Sequence, residues 1–254
     1  MKRLRLIVLV VILILVAHHQ WNEKSRHLRW DAPLFVAVYP VAGDQSKAAA
    51  GAVEALHRDA LTPISTHLQA EASRYGLEIP RPFYIEVGQP LAATPPPPPI
   101  AANFLHRAAW VASVRWWRWN FDEQGLDPDI VVLARYFDPQ SNPVLPHSTG
   151  LQPIRLVIAN LYAGPDWREP NQVVLLHEIL HTLGATDKYD LVSGQPLYPQ
   201  GYAEPERKPV HPQRRAELMA GRIPLSPGEA IQAESLSATW VGPETAREIG
   251  WIND

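Results

Sequence analysis

Cysteine is absent from the 254 residues, and methionine occurs only twice. The absence of cysteine excludes a disulfide scaffold, a thiolate zinc site, a cysteine nucleophile and a lipid-modified N-terminal cysteine. It indicates no redox compartment, because a cysteine-free chain is compatible with any of them. Glycine is also sparse, at 14 residues, whereas the 26 prolines are about twice the ordinary usage. This balance predicts stiff, irregular connections rather than flexible linkers.

The composition is that of a folded chain, with 46% hydrophobic and 19% charged residues. It fits one globular domain or a domain with a small appendage. The net charge of −3 is unevenly distributed, because residues 1–31 carry +4 and residues 32–254 therefore carry −7. A nucleic-acid-binding domain usually has a basic folded body. The charge distribution thus argues against nucleic acid as a partner.

One uninterrupted apolar run, residues 6–17, follows three basic residues near the N-terminus. As a helix it would span roughly 18 Å, which is short for a bilayer and typical of a signal-peptide core. Small residues that would mark a cleavage site do not follow it, since His18, His19, Gln20 and Trp21 come next. We therefore expect residues 1–21 to be an uncleaved signal anchor that binds the membrane, with a periplasmic or extracellular body. A cleaved signal peptide and a secreted protein are the alternative, and a buried first helix is a third reading.

The pattern of the remaining residues predicts an α+β fold that resembles α/β folds in its alternation of strands and helices. Residues 22–32 read as a stalk, after which candidate strands alternate with candidate helices, as in a mixed or parallel sheet covered on both faces. The candidate strands are residues 34–39, 83–87, 130–134 and 154–161, and the candidate helices are residues 51–75, 101–119 and 171–183. The strand at residues 154–161 alternates enough to be an edge strand. Seven prolines in residues 196–227 predict an irregular segment, and a short helix is expected at residues 243–251.

The chemistry-bearing pattern lies in the helix at residues 171–183. His177 and His181 are four residues apart on one helical face, so both can bind one metal ion, and Glu178 lies beside them as a general base. Gly184 can adopt the left-handed conformation of a sharp turn, which lets Asp187 reach the same ion. Two histidines and an aspartate would leave the fourth position of a single Zn²⁺ open for water, as catalytic zinc requires.

Apolar residues surround this motif on nearly every side of the helix, which predicts a buried helix. Ionisable groups in a buried helix need partners, and a metal ion supplies them. Zinc would lower the pKa of a bound water toward ~7 and polarise a substrate carbonyl. Glu178 would take the proton from that water and deliver it to the leaving amine.

The pattern His177-Glu178-x-x-His181-x-x-Gly184-x-x-Asp187 resembles the extended zinc motif of the metzincin metallopeptidases. It matches the variant, snapalysin-like or archaemetzincin-like, in which aspartate replaces the third histidine. The resemblance implies a twisted mixed sheet with two covering helices and an active-site helix, here residues 33–184. It also implies an irregular lower subdomain, here residues 185–254, with a C-terminal helix and a methionine turn beneath the metal, for which Met219 is the candidate.

The chain departs from the family at the oxyanion stabiliser. Some metzincins carry a tyrosine two residues after the turn methionine, where this chain has Gly221. Tyr189, Tyr202 and Arg222 are the candidates to replace it. The third ligand also has alternatives: Asp190, or, in a gluzincin-like arrangement, Glu204, Glu206 or Glu217. An aspzincin-like arrangement places its aspartate farther downstream than Asp187.

The resemblance implies a zinc-dependent metalloendopeptidase that acts on protein or peptide substrates, with Glu178 as the general base. As in the family, the edge strand above the cleft, here residues 154–161, would pair with the substrate backbone. Two other classes remain open. The chain could be a non-catalytic envelope protein stabilised by its metal, or a metal-dependent hydrolase of a non-peptide substrate. No pattern in the sequence indicates an oligomeric state.

Overall fold

A five-stranded sheet lies at the centre of the computed structural model, which describes residues 30–92, 94–97, 99 and 103–252. Its strands are β1 (Leu34–Ala42), β2 (Phe83–Val87), β3 (Ile130–Phe137), β4 (Thr149–Leu151) and β5 (Leu156–Tyr162). Their order is β2-β1-β3-β5-β4, and every neighbouring pair is parallel except β4 with β5. The predicted mixed sheet is therefore confirmed.

Helices and smaller strands complete the described part of the chain. The helices are α1 (Lys47–Ala55), α2 (Thr62–Arg74), α3 (Phe104–Trp119), α4 (Arg168–Thr182) and α5 (Pro243–Glu248). Two small sheets pair β6 (Ala216–Glu217) with β9 (Thr239–Trp240), and β7 (Arg222–Ser226) with β8 (Glu229–Gln232). These small sheets follow α4, where the sequence predicts irregular structure.

The central sheet is covered on both faces because successive side chains of a strand point to opposite sides. In β3, Val132 and Ala134 pack toward α1, α2 and α4, whereas Val131 and Leu133 pack toward α3. All four are fully buried. Full burial of a Val or Leu side chain stabilises a fold by about 1.5–3 kcal/mol. The two faces therefore form two apolar cores with β3 in the middle of both.

The single helix predicted over residues 51–75 is wrong. The chain forms α1, a 3₁₀ turn at Arg58–Leu61 and then α2, with Leu56 and His57 extended between them. Pro63 lies in the first turn of α2. Proline has no N–H to donate, and its ring clashes with the carbonyl four residues earlier, so a helix cannot run through it without a break.

The predicted edge strand is also wrong. β5, which replaces the strand predicted at residues 154–161, lies between β3 and β4 and is hydrogen-bonded on both sides. The edge on this side of the sheet is β4, antiparallel to β5 and only three residues long. An edge strand of this length has too few residues for an alternating pattern to be recognised.

The prediction of a single-pass membrane protein is contradicted. Among the described residues no helix is both long enough and apolar enough to cross a bilayer. The longest of them, α3, has 16 residues and carries Arg107, Arg115 and Arg118. At 1.5 Å per residue it spans about 24 Å, less than the ~30 Å of a hydrocarbon core. The predicted anchor, residues 1–21, lies outside the described residues, and the membrane-anchored location is not retained.

Candidate metal centre

The helix α4 carries the metal-binding pattern and packs against the sheet. Most of its residues are buried, including Leu175, Leu176, Ile179 and Leu180. The helix ends at Thr182 and is capped by Leu183, and the next residue, Gly184, has a φ of 106° in the left-handed region. There the Gly184 amide donates to the carbonyl of His181 and the Ala185 amide to that of Leu180, both at 3.1 Å. This pair of bonds is a Schellman motif, which reverses the chain direction directly after the second histidine.

Three side-chain atoms converge beyond this turn. Nε2 of His177 and Nε2 of His181 are 3.1 Å apart, and Oδ1 of Asp187 lies 3.2 Å from each of them. Tetrahedral zinc with bonds of about 2.0–2.1 Å holds its ligand atoms about 3.3–3.4 Å apart. The spacing of the three atoms therefore fits a single zinc ion.

The backbone selects the tautomer of both histidines. Nδ1 of His177 lies 3.1 Å from the carbonyl oxygen of Leu218, and Nδ1 of His181 lies 2.8 Å from that of Ala185. A carbonyl oxygen only accepts, so Nδ1 carries the proton and a neutral imidazole has its lone pair on Nε2. Oδ1 of Asp187 is buried and makes no hydrogen bond within the described chain. Three electron-pair donors thus face one another, an arrangement that a bound cation satisfies.

The two carboxyl groups of the centre differ in their pKa. Burial raises the pKa of Glu178, and the nearby His177 and His181 offset this only in part. Burial acts in the same direction on Asp187, but its interactions with the two nearby imidazoles outweigh burial and hold the pKa of Asp187 well below its usual range. Two carboxyl groups with divergent pKa values suit different tasks. Asp187 suits a ligand that stays ionised, and Glu178 suits a group that accepts and returns a proton.

An open cavity of ≈330 Å³ exposes the centre, and the edge strand β4 forms one side of it. A Cβ on Gly150 of this strand would lie 2.2 Å from the carbonyl oxygen of Glu178 and 2.6 Å from Cβ of His181. Any other residue at position 150 would push β4 away from α4. The close approach places the backbone of the edge strand directly beside the metal-binding face of the helix.

A salt bridge between distant parts of the chain supports the loop that carries Asp187. Lys188 is 4% exposed, and its Nζ lies 2.7 Å from Oε2 of Glu248 in α5. Glu248 also accepts from the amide of Thr186 at 2.9 Å and from its hydroxyl at 2.7 Å. Residues 186 and 188 are thus held on both sides of Asp187. Sequence reasoning missed this contact because the partners are 60 residues apart.

A turn containing Met219 lies beneath the histidines. Met219 is fully buried, and its carbonyl accepts from the amide of Lys188 at 3.0 Å. The carboxylate of Glu217 accepts from the amides of Met219 and Ala220 at 2.6 and 3.1 Å. Glu217 therefore stabilises this turn and is not placed as a metal ligand, unlike in the gluzincin-like alternative.

The remaining candidates differ in position. Tyr189 lines the same cavity as the histidines, whereas Tyr202 and Arg222 are not among its described lining. The Tyr202 hydroxyl lies 3.0 Å from Nε2 of His211. Asp190, the competing third ligand, instead accepts from the amide and hydroxyl of Ser193 at 2.7 and 2.8 Å. Tyr189 is thus the one of the three oxyanion candidates that the fold brings to the centre.

No family model matches the chain, and no curated protein matches it. The functional assignment therefore rests on the geometry of the centre. The metal-ligating atoms of His177, Glu178 and His181 also lie within 4.8 Å of one another. Of the two carboxylates, that of Asp187 is closer to both imidazoles, at 3.2 Å, so Asp187 is the stronger candidate for a third ligand.

Proposed function

We propose that the protein is a zinc-dependent metalloendopeptidase of metzincin type, with one Zn²⁺ held by His177, His181 and Asp187. The observation that carries the proposal is the convergence of three electron-pair donors at 3.1–3.2 Å within an open cavity that also contains Glu178. A purely structural zinc site has no need of a carboxyl group in this position. The presence of Glu178 therefore favours catalysis over a metal that only stabilises the fold.

The side chains of the centre have different roles in the proposed peptide hydrolysis. Zinc, when bound, supplies a Lewis acid and lowers the pKa of a coordinated water toward ~7. Glu178 accepts the proton of the attacking water and passes it to the leaving nitrogen, a role for which its raised pKa suits it. The carbonyls of Leu218 and Ala185 hold the two imidazoles in the orientation that presents Nε2. The Tyr189 hydroxyl is our candidate to donate to the developing oxyanion.

The edge of the sheet offers a binding mode for the substrate. β4 has a strand partner on one side only among the described strands. An extended peptide can add to such an edge through main-chain hydrogen bonds. Because Gly150 lies against α4, a peptide paired with β4 would pass beside Glu178. This role moves from the strand predicted at residues 154–161 to β4.

The assignment to the metzincin type has further support in the region after α4. Residues 185–252 contain short strands and irregular segments, the Met219 turn and the helix α5. The Leu218 carbonyl links that turn to His177 at 3.1 Å. We propose on this basis that residues 33–184 and 185–254 correspond to the upper and lower subdomains of a zincin.

Zinc content and peptide cleavage test the proposal together. The zinc-loaded protein is incubated with a mixed peptide library, and products are identified by mass spectrometry. The wild type is expected to bind one zinc and to cleave. Glu178→Gln should retain the zinc and lose activity by about 10²–10⁴-fold, the usual contribution of a general base. Asp187→Ala should lose the zinc.

The matched control is Asp190→Asn, a neighbouring carboxylate that serves only its own turn and should leave both readouts unchanged. A wild-type protein that holds one zinc and cleaves no peptide would contradict the peptidase assignment. Zinc retained at wild-type affinity by Asp187→Ala would contradict the ligand assignment.

A further inference from the structure

A second cavity lies at the other end of α4 and shares no lining residue with the metal centre. Its volume is ≈350 Å³, which falls within the usual range of small-molecule sites, about 300–1,000 Å³. Leu61 and Leu175 line its interior and are 2% and 1% exposed. The cavity opens to the surface, where Ala48, Gly51 and Ala55 are exposed, and extends inward to the apolar core. The proposed peptidase chemistry makes no use of it.

The helix α1 leaves this space open because its cavity side carries only small residues. Ala48, Gly51, Ala52 and Ala55 recur at the spacing of one helical face and all line the cavity. A Cβ built on Gly51 meets no heavy atom within 4 Å. The wall is therefore recessed, and a larger side chain at position 51 would occupy the space.

Tyr136 brings a hydroxyl group without a described protein partner to the cavity. It lines the cavity, is 7% exposed, and its hydroxyl makes no hydrogen bond with any described residue. Burial raises the pKa of this phenol to about 12, so it remains a donor at physiological pH. The hydroxyl is not one of the fully buried partnerless atoms of the described residues, so it is accessible from the cavity. A bound acceptor would satisfy it.

The charged side chains that line the cavity are all positive. Lys47 and Arg168 line the cavity, no carboxylate does, and neither cation forms a salt bridge with a described residue. Each is the first residue of its helix, α1 and α4, so two helix N-termini with their positive partial charge adjoin the same space. Tyr136 lies at this end too, since its carbonyl accepts from Gly43, four residues before Lys47.

We propose that this cavity binds an aliphatic monocarboxylate of about eight carbons, a size suited to the small volume. The carboxylate accepts from the Tyr136 hydroxyl and pairs with Lys47 and Arg168. The alkyl chain lies along the recessed face of α1 and against Leu61 and Leu175. An apolar space with one donor and two cations at one end matches this ligand in both shape and charge.

Titration of the full-length protein with sodium octanoate tests the proposal, by calorimetry or by chemical-shift changes. Saturable binding at one site is expected, and 1-octanol, with the same chain and no charge, should bind at least about tenfold more weakly. Tyr136→Phe removes only the hydroxyl and should weaken octanoate binding about fivefold to tenfold. The double variant Lys47→Gln/Arg168→Gln should weaken it by at least as much.

Position 51 provides a matched pair of variants. Gly51→Leu fills the recess and should abolish octanoate binding, whereas Gly51→Ala adds one methyl group to open space and should leave it intact. All of these variants should retain zinc and peptidase activity, so this proposal fails separately from the proposed function. No saturable binding by the wild type, equal affinity for octanoate and octanol, or full binding by Gly51→Leu would each overturn it.

Discussion

Glu217 is a charged residue in a position where charge is rare. It is fully buried, and its carboxylate accepts four hydrogen bonds. Two come from the turn of Met219, and two come from the Gly242 amide and the Thr245 hydroxyl at the start of α5. Burial raises the pKa of Glu217, and these donors offset the effect in part. One side chain thus joins the turn of Met219 to the helix that holds the loop of Asp187.

Glu217→Ala should therefore destabilise the protein strongly. The substitution leaves the amides of Met219 and Gly242 and the Thr245 hydroxyl without their acceptor, while the Ala220 amide keeps the backbone carbonyl of residue 217. We expect a loss of about 2–4 kcal/mol in the free energy of unfolding. Urea denaturation of the zinc-free protein measures it directly. Glu229→Ala, at an exposed position in β8, should change stability by less than about 0.5 kcal/mol. Equal denaturation midpoints for the two variants would contradict the role given to Glu217.

The contact between α2 and β9 contains a histidine that burial keeps neutral. His67 lies on α2 with Nε2 3.2 Å from the Thr239 hydroxyl. Burial, together with the charges of Arg215 and Arg74, lowers the pKa of His67 to about 4. The unfolded chain binds this proton near pH 6.5, the ordinary value for histidine. Between the two pKa values the unfolded state therefore holds more protons than the folded state.

The stability that depends on His67 is complete above pH 6.5 and is lost as the pH falls toward 4, by about 3 kcal/mol at most. His67→Gln should lack this part of the pH dependence. Urea midpoints of both proteins at pH 7.5 and 4.5 provide the test, with the exposed His57→Gln as the control. If His67→Gln loses as much stability on acidification as the wild type, the neutral histidine at this contact is not the cause.

Sequence patterns predicted the structural features that depend on residues close together in the chain. The four-residue spacing of His177 and His181 placed both on one face of α4, and Gly184 was predicted as the turn that brings Asp187 back. The break before α2 had a local signal in Pro63 that the apolar periodicity of residues 51–75 obscured. No local pattern indicated that β5 lies inside the sheet. Its position depends on the neighbouring strand β4, which has only three residues.

Contacts between distant residues could not be predicted in the same way. Glu217 was considered as a metal ligand because a lone glutamate in sequence does not reveal which backbone amides will surround it. Lys188 and Glu248 carry no pattern that pairs them across 60 residues. The need for glycine at position 150 arises because β4 packs closely against α4. This contact depends on the folded structure and has no sequence pattern. These residues support the centre without resembling any motif.

The metal centre joins segments from much of the described chain, so zinc should stabilise the protein as a whole. A ligand present at 100 times its Kd stabilises the folded state by about 2.7 kcal/mol. For a protein of this size that corresponds to a rise in Tm of roughly 5–10 °C. Removal of zinc with a chelator should lower the Tm of the wild type and of Asp190→Asn by this amount, as measured by differential scanning fluorimetry. The same treatment should leave the Tm of Asp187→Ala almost unchanged, and an equal shift in that variant would exclude Asp187 as a ligand.

The salt bridge between Lys188 and Glu248 also bears on the order of events during synthesis. His181 leaves the ribosome 67 residues before Glu248. At about 5–20 residues per second, the nascent chain carries both histidines for roughly 3–13 s before α5 exists to secure the loop of Asp187. During that interval the helix presents a two-histidine site without its supported third ligand. For the proposed peptidase we therefore expect activity to be acquired late in translation, which would limit self-cleavage of the growing chain.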